Sequence, residues 1–97
     1  MRIYGPTDPE MSKIYNNMGG VEAELENLDA AKEYHEKAMS IDLKSHGAIH
    51  PSVARNYMNL GIVEKRLGNY KKAEEYYKRR RYTFNIILWG RITWTWV

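Results

Sequence analysis

The sequence predicts an all-α protein: two stacked antiparallel helical hairpins and an extra C-terminal segment, helical or irregular. Three observations predict it. The chain repeats itself at a period of 42 residues, with eleven of the 26 positions in 9–34 identical to their partners in 51–76. Apolar residues recur at three- and four-residue steps in each copy, which marks helices. Proline opens each copy, and Asn27 or Gly68-Asn69 interrupts it midway. With 97 residues, the core is thin for a single small domain.

The elements follow in order. Residues 1–8 read as a loop, with Gly5-Pro6-Thr7-Asp8 as turn material. Residues 9–50 form the first repeat, with helices over about 9–25 and 28–44. Asp8 is placed to cap the first helix, and Pro9 occupies a first-turn position where a missing N–H costs nothing. Met11, Ile14, Tyr15, Met18, Val21 and Leu25 make its stripe, broken by Glu22. Ala31, Tyr34, Ala38 and Ile41 line one face of the second helix, and Leu43 extends it. Residues 51–90 form the second repeat, with helices over about 51–67 and 70–88. Val53, Tyr57, Leu60, Val63 and Leu67 repeat the stripe, and Ala73, Tyr76 and Tyr77 follow. Gly19 and Gly61 lie mid-helix, where glycine costs about 1 kcal/mol against alanine. Recurrence at the same place predicts close approach of a partner helix, with Ala31 and Ala73 as the expected points of contact. Residues 91–97 match neither repeat. Their alternation, Ile92-Thr93-Trp94-Thr95-Trp96, favours a strand. The alternatives are an extension of the last helix, a cover over the end of the stack, or a pairing segment for a second chain.

The repeated residues resemble the tetratricopeptide repeat. Tyr15, Met18 and Gly19 followed by Ala31, His35 and Ala38 carry the resemblance in the first copy. Tyr57, Leu60, Gly61, Ala73 and Tyr77 carry it in the second. The 42-residue period and the Asn-Met-Gly and Asn-Leu-Gly steps are similar to the longer repeats of kinesin light chains and nephrocystin-like scaffolds. The departures are Glu22 and Glu64 where an aromatic is usual, and Arg80 where a small residue belongs. Trp89-Gly90 resembles the start of another loop between repeats. Such a pattern at both ends predicts a segment of a longer α-solenoid array.

The resemblance implies a non-enzymatic interaction module. Arrays of this kind line a concave face with the first helix of each repeat. By position that face holds Lys13, Asn16, Asn17, Gly20 and Glu24, then Arg55, Met58, Asn59, Ile62 and Arg66. The peptide-binding candidates are Lys13, Asn16, Asn17, Arg55, Met58, Asn59, Ile62 and Arg66. A cation four residues before an asparagine occurs twice, as Lys13/Asn17 and Arg55/Asn59. An amide offers both a donor and an acceptor to a peptide backbone. A cation suits a carboxylate, so an acidic peptide is the expected partner. The asparagines have a second reading, as hydrogen-bonded links between neighbouring helices.

Other functions find little support. The chain has no cysteine, which removes disulfides, zinc knuckles and thiol chemistry and fits a cytoplasmic setting. His46 and His50 are four apart, but Gly47 and Pro51 break the helix that would bring them together, and no third ligand has motif spacing. No catalytic residue, metal site or cofactor is expected. The run Lys78-Arg79-Arg80-Arg81 beside tyrosines raises nucleic acid or an anionic membrane as a partner. A net charge of +3 favours an exposed helix face instead. Residues 86–97 are too few for a membrane span. Their aromatic content makes them the expected contact for a homo-oligomer.

Overall fold

The computed structural model describes the backbone of Gly5 and residues 8–96, and the side chains up to Trp89. Four helices make up the architecture: α1 (Pro9–Glu24), α2 (Leu28–His46), α3 (Pro51–Arg66) and α4 (Tyr70–Trp96). No strand occurs among the described residues. α1 pairs with α2 and α3 with α4, and α2 packs on α3 to join the two hairpins.

Local chemistry sets the helix starts. The Asp8 carboxylate accepts the Glu10 N–H at 2.9 Å and Pro9 follows at the first turn. His50 does the same at α3, its Nδ1 accepting the Ser52 N–H at 3.0 Å. The hairpin turns are also equivalent. Gly68 takes φ +88°, and Glu26, at the same repeat position, takes φ 65°. That left-handed conformation costs a side-chain-bearing residue roughly 1 kcal/mol or more.

The glycines mark close approach, but not to the alanines. A Cβ on Gly19 would lie 2.8 Å from the His35 ring, and one on Gly61 would lie 2.7 Å from the Tyr77 ring. The helices therefore interlock ring into glycine notch. Ala31 and Ala73 are buried beside these contacts, at 0% and 3% exposure. Tyr15 stacks with Tyr34, and Tyr57 meets Tyr76 at a tilt of 31°, both pairs with ring centres 6.2 Å apart.

Between the hairpins, Met39 of α2 packs with Val53 and Leu60 of α3, flanked by Tyr57 and Tyr76. Glu64 is fully buried in this interface. Its Oε1 lies 3.1 Å from Lys32 Nζ and its Oε2 lies 3.8 Å from Lys72 Nζ. No aligned hydrogen bond reaches Oε1, so the Lys32 contact is an ion pair rather than a directed bond. The Glu64 carboxylate raises Lys32 above the ordinary lysine range, against an opposing effect of partial burial. Glu64, one of the two glutamates that replace the usual aromatic, thus acts as an ion-pair centre.

The C-terminal boundary differs from expectation. α4 continues as helix through Gly90 to Trp96, well past residue 88. The alternation of 92–97 therefore makes no strand up to Trp96, and Trp89-Gly90 opens no loop. Gly47 leaves α2 with Pro51 close behind, whereas no proline follows Gly90. Glycine alone costs a helix about 1 kcal/mol and does not stop it. A capping or pairing role for Trp94 and Trp96 lies outside the described side chains.

Candidate functional site

A cleft of about 280 Å³ runs between the N-terminal halves of α1 and α3. Glu10, Ser12, Lys13 and Asn16 line it from α1, and Ser52 and Arg55 from α3. Asp42 and His46 of α2 form its floor. The periodicity of each helix puts these side chains there, because residues three or four apart share a face. A second depression of about 250 Å³ continues beyond Arg55, lined by Pro51, Ala54, Met58, Arg80 and Phe84. Arg55 lies between the two and belongs to both.

A buried polar chain holds the cleft in shape. Asp42, 4% exposed, accepts from Ser12 Oγ at 2.8 Å and from Asn56 Nδ2 at 2.6 Å. Asn56 Oδ1 accepts from Asn16 Nδ2 at 2.9 Å. Asn16 Oδ1 lies 2.9 Å from His35 Nδ1. The donors all run one way if the neutral His35 carries its proton on Nδ1, so the chain ends on the Asp42 carboxylate. Burial pushes the His35 imidazole below the ordinary histidine range, which keeps it neutral near pH 7. A satisfied network of this kind ties three helices together and resists rearrangement.

The candidate residues separate into groups. Lys13, Asn16 and Arg55 come together in the cleft. Lys13 is exposed and lies 3.7 Å from Glu10. Arg55 is exposed and makes no ion pair among the described residues. Met58 lines the neighbouring depression, and Arg80 Nη1 approaches its sulfur at 3.6 Å. Asn59 is half-buried and makes a long contact, 3.5 Å, to Asn16 Oδ1. That contact is the inter-helix link of the second reading. Asn17, its repeat partner, stands apart from the cleft beside Met18, Val21 and Glu22. Ile62 is exposed at 42%. Arg66 pairs with Glu26 at 2.7 Å on the exposed surface and is not among the residues that line the cleft.

Ser12, Asp42, His46, Ser52 and Asn56 shape the cleft and were not among the candidates. Asp42 sits between Ile41 and Leu43, a charge inside an apolar stretch, and that was the available signal. The repeat comparison hid it, because Ser12 and Asp42 align with Ala54 and Phe84.

His46 and His50 stack across the α2–α3 turn with ring centres 4.1 Å apart. No group of three His, Cys, Asp or Glu side chains that could hold a metal occurs among the described residues. No helix is long and apolar enough to cross a membrane among the described residues.

Paired helices, ring-in-glycine notches and a repeat-to-repeat interface of α2 on α3 define a helical-repeat protein built from stacked hairpins. The tetratricopeptide repeat profile matches residues 10–81, and the chain belongs to that family. No curated protein sequence matches the chain, and neither does any solved structure. Repeats of this family mediate protein–protein interaction.

Proposed function

We propose that this protein is a non-enzymatic cytoplasmic scaffold of the kinesin-light-chain-like repeat type. It holds an acidic peptide segment of a partner along the groove between α1 and α3. The observation that carries this reading is Arg55. Its guanidinium is exposed between two depressions and has no carboxylate partner among the described residues. Lys13 flanks it in the cleft on one side, and Arg80 lines the depression on the other. The carboxylates nearby are engaged: Asp42 by Ser12 and Asn56, and Glu10 by Lys13. A peptide carboxylate at Arg55 gains a charge-assisted hydrogen bond. The amides of Asn16 and Asn59 border the same path, with Met58 and Ile62 offering apolar contact beyond it.

An array of labelled acidic peptides, with Asn/Gln versions of the same peptides as controls, tests this reading. Arg55→Glu lowers the affinity of acidic peptides about tenfold or more, the equivalent of one charge-assisted bond. Equal affinity of both proteins for every acidic peptide would contradict it.

A second reading rests on a different observation. Leu88 and Trp89 are exposed at 55% and 65%, which favours self-association through residues 86–97. Sedimentation of the full chain against a chain ending at Arg81 separates the two readings. An equal mass per particle counts against assembly through the tail.

A further inference from the structure

A cavity of about 450 Å³ lies where α2, α3 and α4 meet. Met39 and Leu43 of α2, Tyr57 and Leu60 of α3 and Tyr76 of α4 give it apolar and aromatic walls. Met39 and Leu60 belong to the core between the hairpins, at 9% and 2% exposure, so the fold itself fixes the walls. None of the lining residues borders the groove of Arg55. Every wall comes from helices inside this stack, so the cavity depends on no chain before or after it.

The charged groups sit on α2 and α4. Glu36, Ser40 and Lys44 follow one another at four-residue steps along α2, and Arg79 faces in from α4. The edge from Glu36 to Lys44 is about 12 Å long at 1.5 Å per residue. Lys44 and Arg79 are exposed, and neither makes an ion pair among the described residues. The first repeat shows a satisfied cation at the place of Arg79. Lys37, its repeat partner, pairs with Glu33 at 3.9 Å and lies 5.6 and 5.8 Å from the ring centres of Tyr15 and Tyr34. Arg79 has Glu75, Tyr57 and Tyr76 at the matching positions, yet among the described residues it pairs with no carboxylate and lies over no ring. It lines the cavity instead.

We infer that this cavity binds a small amphipathic carboxylate, with its hydrocarbon against Met39, Leu43, Tyr57 and Tyr76 and its acid group at Arg79 and Lys44. Like charge at Glu36 keeps the acid group away from that end, and the length of the edge suits an acyl chain of medium length. Burial first, and then the charge of Glu36, push the Tyr76 hydroxyl above the ordinary tyrosine range, so it stays a hydrogen-bond donor. The volume and the apolar lining with a few charged groups match small-molecule sites, which span about 300–1,000 Å³. An extended peptide fits less well. No amide side chain lines the cavity, whereas Asn16 lines the cleft between α1 and α3. The backbone groups of the walls are spent on helix bonds, so peptide N–H and C=O groups would lie unpaired over apolar side chains. A hydrocarbon chain has no such groups.

The probe is decanoate, titrated below micelle formation into the full chain and followed by amide NMR. Saturable shifts are expected around Leu43, Leu60 and Tyr76, with weaker binding of decanol and weaker still of decyltrimethylammonium. Arg79→Gln and Lys44→Gln each weaken decanoate about fivefold and leave decanol unchanged, whereas Lys37→Gln changes neither. Ser40→Phe, a change on the exposed edge of α2, fills the cavity and removes the shifts. Circular dichroism unchanged from the parent confirms that each variant is folded. Absence of saturable shifts overturns the inference, and so does decyltrimethylammonium binding as tightly as decanoate. Decanoate affinity unchanged by Arg79→Gln and Lys44→Gln, or by Ser40→Phe, overturns it too. Co-sedimentation with phosphatidylserine vesicles that Arg79→Gln abolishes, without decanoate binding, would make the anion a membrane surface and likewise contradict it.

Discussion

α1 and α3 share their stripe and meet different surroundings. Val63 is 2% exposed and Val21, its repeat partner, is 55% exposed. Glu64 is fully buried between two lysines, while Glu22 is held only by Asn27 among the described residues. The cause is the neighbour: α3 lies between α2 and α4, whereas α1 packs on α2 and meets α3 through the hydrogen bonds of Asn16. Fully burying a Leu or Val side chain is worth roughly 1.5–3 kcal/mol. The same residues therefore anchor the fold in one repeat and form an open surface in the other. A stripe at helical spacing states what a helix can bury, and only the packed structure states what it does bury.

The sharpest way to break the comparison is to remove the ion pair on one side. Lys32→Met leaves the Glu64 carboxylate with the longer contacts to Lys72 and Asn69. Breaking a buried pair from one side costs about 3–5 kcal/mol, reduced here to roughly 2 because Lys32 is partly exposed and Lys72 remains. Glu22→Gln, the matching change on α1, stays within about 0.5 kcal/mol of the parent. Urea denaturation of both variants measures the contrast. Equal losses would mean that Glu22 and Glu64 share one environment.

A second probe uses pH. Burial depresses the His35 pKa in the folded protein, so the unfolded chain takes up the proton first. His35's contribution to stability is fully present above the unfolded value of about 6.5 and is lost as pH falls below it. Denaturation midpoints between pH 7.5 and 5.5 fall with acidity, and His35→Gln flattens that part of the decline. An undiminished slope in His35→Gln would place the titrating group elsewhere.

The smallest effect separates the two hairpin turns. Glu26 takes the left-handed conformation that Gly68 takes in the second repeat. Glu26→Gly relieves that strain and loses an exposed ion pair to Arg66. The net result is a gain of roughly 0.5–1 kcal/mol, since exposed pairs contribute little. A thermal melt that shifts downward would contradict this.

Much of the fold was legible because its causes repeat. Pro9 with Pro51, Gly19 with Gly61, and Tyr15–Tyr34 with Tyr57–Tyr76 each state one constraint twice. Half of the candidate groove was legible for the same reason, since Lys13 and Arg55 lie in one cleft. The rest depends on residues without a counterpart. Ser12 and Asp42 build the floor of the cleft, yet Ala54 and Phe84 stand at their positions in the second repeat. Asn17 and Asn59 match in sequence and differ in setting, because Asn59 has a hairpin in front of it and Asn17 has none among the described residues. The expected contact of Gly19 with Ala31 was displaced by His35, whose ring fills the notch.

Native-state hydrogen exchange followed amide by amide tests the difference between the two helices most directly. Amides in helices packed on both sides exchange only on global opening, and those in helices packed on one side open at lower free energy. The amides of α3 around Leu60 and Val63 should exchange at the global unfolding free energy. Those of α1 around Met18 and Val21 should open well below it. Equal protection in α1 and α3 would contradict the account.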